Sequence, residues 1–250
     1  LHSINMITSK SNPTVKRVNS LKEKKYRAEY GEYIVEGIKQ IREAVAAGQK
    51  IVSIYYSPRY RGELTEHERS VPVSDEVFGK LSEEVSPQGI LAVLEIPENA
   101  PAAPQGNALF LDGISDPGNL GTIIRTANGA GYADIYLKNC TDPYAPKCVR
   151  SAMSGLFFVR LHFLSENVYP FLDGIPFICA DMGGENVYSF RPPQKFVLVI
   201  GNEANGVSEE MRKVCEYTVS IPMRECCESL NAGVSAGILM YHLKYANKIN

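Results

Sequence analysis

Nowhere in the sequence does an apolar run approach the roughly 18 residues of a membrane-spanning helix; the longest, such as 196–200, have the length of buried strands. No charged, apolar, small-residue leader opens the chain, so no membrane partner and a cytoplasmic protein are expected. Six cysteines occur without a C-x-x-C pair and without histidines at zinc-ligand spacing, so no metal is expected and the thiols read as reduced. Adjacent Cys226 and Cys227 have no neighbouring base that would activate them. Neither G-x-G-x-x-G nor G-x-x-x-x-G-K-[ST] is present, which weighs against a dinucleotide or nucleoside-triphosphate site. A large excess of one charge is missing too: the net charge is −2, unlike that of a protein that coats nucleic acid indiscriminately.

What is present is an ordinary globular composition, 44% apolar and 22% charged over 250 residues. A chain of this length buries about 70–75% of its unfolded surface and needs no disulfide or metal staple. The charge is unevenly spread: residues 1–50 hold ten basic side chains against five acidic ones. Lys10, Lys16, Arg17, Lys22, Lys24, Lys25 and Arg27 are interrupted by one acid, Glu23. That run reads either as a surface for a polyanion or as a solvated helix face.

Residues 6–96 read as a small α/β domain. Asn12 followed by Pro13 is a helix start, and Val15, Val18 and Leu21 share one face. Strands are predicted over 33–35, 51–56 and 89–94, and helices over 37–47 and 75–81; 63–70 is charged and helical or exposed. The proline-rich stretch 97–107 is a linker. Residues 108–250 form the second domain. Here apolar strands over 108–112, 135–137, 157–163, 177–180 and 196–200 alternate with helices over 120–129 and 146–153, and with one capped by Ser208. A last strand, 218–223, precedes a polar loop and a helix whose Ala232, Gly233, Ala236 and Gly237 let another backbone come close; Ser229 or Asn231 caps it. Three polar loops, 113–119, 201–206 and 224–231, leave the C-terminal ends of strands, where open α/β sheets bind ligands. They bring Asn119, Arg125, Glu203, Ser229 and Asn231 into consideration, each of which could equally serve packing, capping or a salt bridge.

Taken in order, N-L-G-T-I-I-R (119–125), V-I-G-N-E-A-N-G-V-S (199–208) and I-P-M-x5-S-L-N (221–231) resemble the three motifs of the SpoU/TrmH family of SPOUT-class RNA ribose 2′-O-methyltransferases. S-N-P-x-V-K (11–16) and Y-I-V-E-G (33–37) resemble the family's ribosomal-protein-like RNA-binding domain. The resemblance implies a C-terminal trefoil-knotted parallel-sheet domain and a smaller N-terminal α/β domain that binds RNA through the basic run. It also implies S-adenosylmethionine, held near Gly201, Ile221, Met223 and Leu230, and a homodimer through the knotted domain. By the same resemblance Arg125 serves the ribose and its phosphate, and Asn119, Glu203, Ser229 and Asn231 orient substrate, cofactor or Arg125. An arginine's pKa exceeds about 12, so whether Arg125 is the base or a phosphate and alkoxide stabiliser stays open. The pattern departs from the family's at Arg224-Glu225-Cys226-Cys227, at 150–155 and at 232–235. The expected substrate is ribosomal RNA. The alternatives are transfer RNA, a non-catalytic RNA- or ribosome-binding protein on the same scaffold, and a nucleotide-dependent oxidoreductase.

Overall fold

The computed structural model describes residues 5–63, 69–98, 100–166, 168–226 and 229–246. Most of the charged stretch at 63–70, and Cys227, lie outside them. The described chain divides into two compact units, one running to Pro97 and including Tyr144–Phe157, the other comprising Glu98–Pro143 and the chain from Phe158 onward.

In the first unit, α1 (Pro13–Ser20) starts where the Asn12 side chain accepts from Thr14 N, with proline at the first helical position. The basic run is not one helix. It breaks at residues 21–23 and resumes as α2 (Lys24–Tyr30), which ends on left-handed Gly31. Then come β1 (Glu32–Glu36), α3 (Ile38–Ala46), β2 (Ile51–Tyr56), β3 (Ser70–Pro72), α4 (Asp75–Leu81) and β4 (Ile90–Glu95). The sheet order is β1-β4-β2-β3, with β4 antiparallel to both neighbours and β3 parallel to β2. Val15, Val18 and Leu21 are buried with Val77, Phe78, Leu81, Leu91 and Val93. The helix Pro146–Ala152, expected in the second domain, belongs here, and the ring of Tyr144 lies 4.8 Å from that of Tyr33.

The second unit contains β5 (Ala108–Asp112), α5 (Pro117–Ala130) and β6 (Asp134–Lys138). After the excursion through α6 (Pro146–Ala152) it continues with β7 (Arg160–Leu164), β8 (Phe177–Asn186), β9 (Val197–Gly201), α7 (Glu209–Val214), β10 (Tyr217–Ser220) and α8 (Ala232–Tyr245). Six strands in the order β10-β8-β9-β5-β6-β7 pair in parallel throughout. β5 and β6 are buried at every position, as the apolar runs require of strands covered on both faces. No helix of the described residues is long and apolar enough to cross a membrane.

Two details position the loops. Asp112, buried at the end of β5, accepts from Ser208 N at 2.8 Å and so holds the start of α7 over the sheet's centre. Gly233 and Gly237 face α5: a Cβ on the first would stand 3.0 Å from Thr122 Cγ2 and on the second 3.5 Å from Thr126 Cγ2. The small residues of α8 therefore serve close helix packing. At the opposite strand ends, Asp134 accepts from Gln105 N, Arg160 and His162, and this binds β6 to β7. Burial works to raise its pKa, but those donors outweigh it and bring the carboxyl down to about 2.

Candidate active site

Helix α5 begins earlier than the sequence reading had it. Asp116 is the N-cap, its carboxylate accepting from Asn119 N at 2.9 Å, and Pro117 occupies the first turn. Asn119 thus sits in a fixed first turn, with its amide at the C-terminal end of β5. Beyond β9, the chain folds back on itself: Asn202 N donates to Gly206 O and Gly206 N to Asn202 O, both at 2.9 Å. Gly201 is where this hairpin crowds its own strand. A Cβ there would come within 2.2 Å of Gly206 C and Val207 N, so no other residue fits without moving backbone. The hairpin projects Glu203 toward α5. Asn231 caps α8, its side-chain oxygen accepting from Gly233 N and Val234 N.

These three loops are joined by one chain of hydrogen bonds. Glu203 accepts from Asn119 Nδ2 at 3.1 Å, from Asp116 N at 3.2 Å, and from the backbone N and hydroxyl of Ser115 at 3.1 and 2.9 Å. Asn119 Oδ1 in turn accepts from Asn231 Nδ2 at 2.8 Å. The direction of every bond follows from the carboxylate, which can only accept. It turns the Asn119 amide nitrogen toward itself, which leaves the Asn119 oxygen for Asn231 and the Asn231 oxygen for the helix N-terminus. Partial burial of Glu203 would raise its pKa, yet the backbone and side-chain donors prevail and hold it below the usual carboxylate value.

Beside this chain opens a cleft of about 530 Å³, in the size range of small-molecule sites. Asn119, Gly201, Glu203, Ile221, Met223, Ser229, Leu230 and Asn231 all line it. Eight of the nine residues singled out in the sequence for catalysis and cofactor binding therefore share one site. Arg125 does not. It is exposed and absent from the lining, because six residues along an α-helix from Asn119 is a rotation of about 240° and a rise of about 9 Å. The sequence reading missed Ser115, Asp116 and Asn202, which hold Glu203 and the hairpin. It also missed Asp181 and Arg212, an ion pair in the cleft wall. The Asp-Pro pair at 116–117 was a legible helix start; nothing local could have paired Asp181 with Arg212.

The basic run fares unevenly. Arg27 is buried and donates to Leu21 O and Lys22 O at 2.8 Å, so it closes the α1–α2 turn rather than facing a ligand. Lys22 is tied to Lys80 O, Ser82 O and Glu83, Arg17 to Glu32, and Lys10 to Glu76. Lys16, Lys24 and Lys25 are exposed and make no ion pair among the described residues.

A parallel sheet whose strand-end loops enclose a cleft, preceded by a smaller α/β domain, is the layout that the resemblance to SPOUT-class methyltransferases implies. Comparison with known proteins narrows this. Residues 106–241 match the model of the SpoU rRNA Methylase family, and residues 12–92 that of the MRM3-like substrate binding domain. The 23S rRNA (guanosine(2553)-2′-O)-methyltransferase RlmP of Bacillus subtilis is 30% identical, over 95% of this chain and 98% of that protein. Among solved structures, AviRb of Streptomyces viridochromogenes in complex with AdoMet gives a TM-score of 0.87 at 26% identity, covering 96% of this chain and 99% of that one. The AdoMet-bound rRNA methyltransferase from Sinorhizobium meliloti gives 0.86 at 26% identity, covering 99% of both. The chain belongs to the SpoU rRNA methylase family. It is an S-adenosylmethionine-dependent RNA 2′-O-methyltransferase.

The cleft's chemistry suits that cofactor. Apolar Ile200, Val219, Met223, Leu230 and Leu239 offer a surface for a flat base, and the amides and hydroxyls of Asn119, Asn202, Ser229 and Asn231 offer partners for polar groups.

Proposed function

We propose that the enzyme methylates a ribose 2′-hydroxyl of ribosomal RNA, in the cytoplasm, as a homodimer with a threaded C-terminal segment. The observation that carries the site assignment is the Glu203–Asn119–Asn231 chain, which locks three sequence-distant loops into one cleft wall. Bound S-adenosylmethionine supplies a sulfonium-activated, electrophilic methyl group. The residues around it supply alignment, which is worth several kcal/mol when a nucleophile must be held against its target. In this reading Gly201, Ile221, Met223 and Leu230 hold the cofactor through backbone and apolar contact. Asn119 and Asn231, fixed by Glu203, present the amides that orient the ribose, and Ser229 offers its hydroxyl at the same wall. Arg125, exposed on the next turns of α5 and outside the cleft lining, is assigned to a backbone phosphate of the bound RNA beside the modified ribose; a guanidinium's fork suits that role as a lysine does not. Lys16, Lys24 and Lys25 contribute phosphate contacts that position the RNA. Lys10, Arg17 and Lys22 add positive potential from within their ion pairs.

Ribosomal RNA is favoured by the relatives, which are named for 23S rRNA in Bacillus subtilis and Streptomyces viridochromogenes. A threaded tail is supported by the endpoints: β10 is an edge strand, whereas α8 packs beside α5 near the sheet's middle, so the chain between them has to return across the ends of β8 and β9. Dimerisation is supported by Val234, Tyr241 and Tyr245, which leave 51%, 46% and 40% of their surface exposed along one side of α8.

The test is a map of 2′-O-methyl sites in total RNA from cells with and without the gene. Loss of one ribosomal site supports the proposal; an unchanged ribosomal map, or loss confined to transfer RNA, overturns the substrate assignment. Arg125→Ala should cut methyl transfer by about a hundredfold or more while S-adenosylmethionine affinity, measured by calorimetry, stays within about twofold. Normal turnover in that variant removes Arg125 from the reaction.

A further inference from the structure

Lys16, Lys24 and Lys25, the cations of the basic run that make no ion pair among the described residues, stand next to an arrangement that phosphate binding does not explain. Tyr26 and Tyr30, one turn apart on α2, stack with ring centroids 6.1 Å apart and planes inclined by 20°. The Arg17 guanidinium of α1 lies 4.6 Å from the Tyr30 ring centre, and Lys25 Nζ lies 5.4 Å from that of Tyr26. The ring pair is thus bracketed by a cation at each end along the outside of the helix pair: Arg17, Tyr30, Tyr26, Lys25. Tyr30 leaves 36% of its surface exposed and Tyr26 is half-buried. Neither ring belongs to the unit's apolar core, which is filled by Val15, Val18, Leu21 and their partners.

The row is held rigid from below. Buried Arg27 closes the turn between the helices. Arg17 is held at 2.9 Å by Glu32, which keeps its guanidinium beside the Tyr30 ring. A stacking partner gains most from surfaces that pay no ordering cost on contact. Exposed Lys16, Lys24 and Lys25 flank the row with positive charge; the acids of the segment are Glu23 and Glu29. Flat π-faces, a guanidinium plane and free ammonium groups on one surface are the combination that takes up unpaired nucleotides, whereas a continuous duplex offers its bases to no such face.

We propose that the outer face of α1 and α2 is a base-stacking shelf, on which an unpaired nucleotide of the RNA substrate stacks along Tyr26, Tyr30 and Arg17 while Lys16, Lys24 and Lys25 take the neighbouring phosphates. This rests on the RNA methyltransferase reading and deepens it: the substrate presents a loop or bulge, not uninterrupted helix, to the N-terminal unit.

The test uses the full chain and two double variants, Tyr26→Ala with Tyr30→Ala, and Tyr26→Phe with Tyr30→Phe. Affinity is measured for a short single-stranded oligoribonucleotide carrying 2-aminopurine and for a continuous duplex of the same sequence. Melting temperature and S-adenosylmethionine affinity serve as controls of the fold. The alanine pair should lose about tenfold or more in single-strand affinity and the phenylalanine pair almost nothing, because the π-face rather than the hydroxyl is used. Duplex affinity should change by less than about twofold, since it depends on phosphate contacts. Stacking should change 2-aminopurine emission in the parent and phenylalanine forms and not in the alanine form. Unchanged single-strand binding by the alanine pair overturns the shelf. So does an equal loss on both RNAs, or a phenylalanine pair as weak as the alanine pair. Failure of the activity reading is seen separately: a parent protein that binds single strands on this row yet transfers no methyl group leaves the shelf standing.

Discussion

Glu203→Gln isolates the hydrogen-bond chain that defines the site, because it keeps size and shape and changes only charge and polarity. The carboxylate accepts four bonds of 2.9–3.2 Å and a longer one of 3.4 Å: Ser115 N, the Ser115 hydroxyl and, at 3.4 Å, Asn202 Nδ2 on one oxygen, Asp116 N and Asn119 Nδ2 on the other. A carboxamide has one oxygen. Either way round, its NH₂ meets a backbone N–H, and in one orientation it also meets the Asn119 amide. Each lost charge-assisted bond costs about 1.5–3 kcal/mol when buried. Glu203 is exposed, so water replaces part of this and the net loss is about 1–2 kcal/mol. For a unit of this size that lowers Tm by roughly 2–8 °C. The larger effect falls on activity: with Asn119 free to turn, its bond to Asn231 is no longer dictated, and misalignment at a reacting centre costs about a hundredfold. Methyl transfer from labelled S-adenosylmethionine and differential scanning calorimetry read the two effects. A signature in pH accompanies them. The folded pKa of Glu203 is held below its ordinary 4.5, so its stabilisation is present above that value and is lost as pH falls through the folded pKa. The parent should show this loss and the variant should not. A variant with parental Tm and parental turnover would refute the claim that this carboxylate organises the site.

Gly201→Ala places a Cβ 2.2 Å from backbone of the returning hairpin; it should weaken S-adenosylmethionine binding by at least about tenfold in calorimetry, through displaced backbone rather than a lost contact. Asp134→Asn removes the carboxylate that buried His162 and the Arg160 guanidinium share; a stability loss of about 2–4 kcal/mol in urea unfolding is expected, with cofactor affinity unchanged. Because that carboxyl's pKa is depressed to about 2, its contribution is complete above pH 3.8 and vanishes as pH falls through 2, so the two proteins' stabilities should converge at the acid end. Gly237→Leu forces a branched chain between α8 and Thr126; it should destabilise by about 1–3 kcal/mol, and an unaltered melting curve would show the two helices are not in close contact.

Much of this molecule was legible before any coordinates. Strands 51–56 and 108–112 and helix 75–81 end where local chemistry says they should. Asn12, Ser208 and Asn231 cap helices as their residue types suggest. What stayed hidden depends on partners distant in sequence. β3 is three residues long and exists because β2 offers an edge to pair with. β8 runs on through Gly183 and Gly184, poor strand residues, because β10 passes so close that a Cβ on Gly184 would lie 2.6 Å from its backbone. The last strand in turn stops at Ser220, short of the predicted Met223, whose stretch lines the cleft instead. The residues at 144–157 interrupt the second unit's sequence yet join the first, which no composition shift announces. Arg27 looks like one more surface cation in a basic run; only the α1–α2 turn reveals that it caps carbonyls. Motif order picked out eight residues that line one cleft, but helical phase alone would have set Arg125 apart from Asn119.

The most direct measurement is the fate of a labelled methyl group. Purified protein is incubated with methyl-labelled S-adenosylmethionine and unmodified ribosomal RNA, and the RNA is then digested to nucleosides. Label recovered in a single 2′-O-methylnucleoside is the predicted result. Label on a base, or none in RNA while the cofactor binds normally, would contradict it.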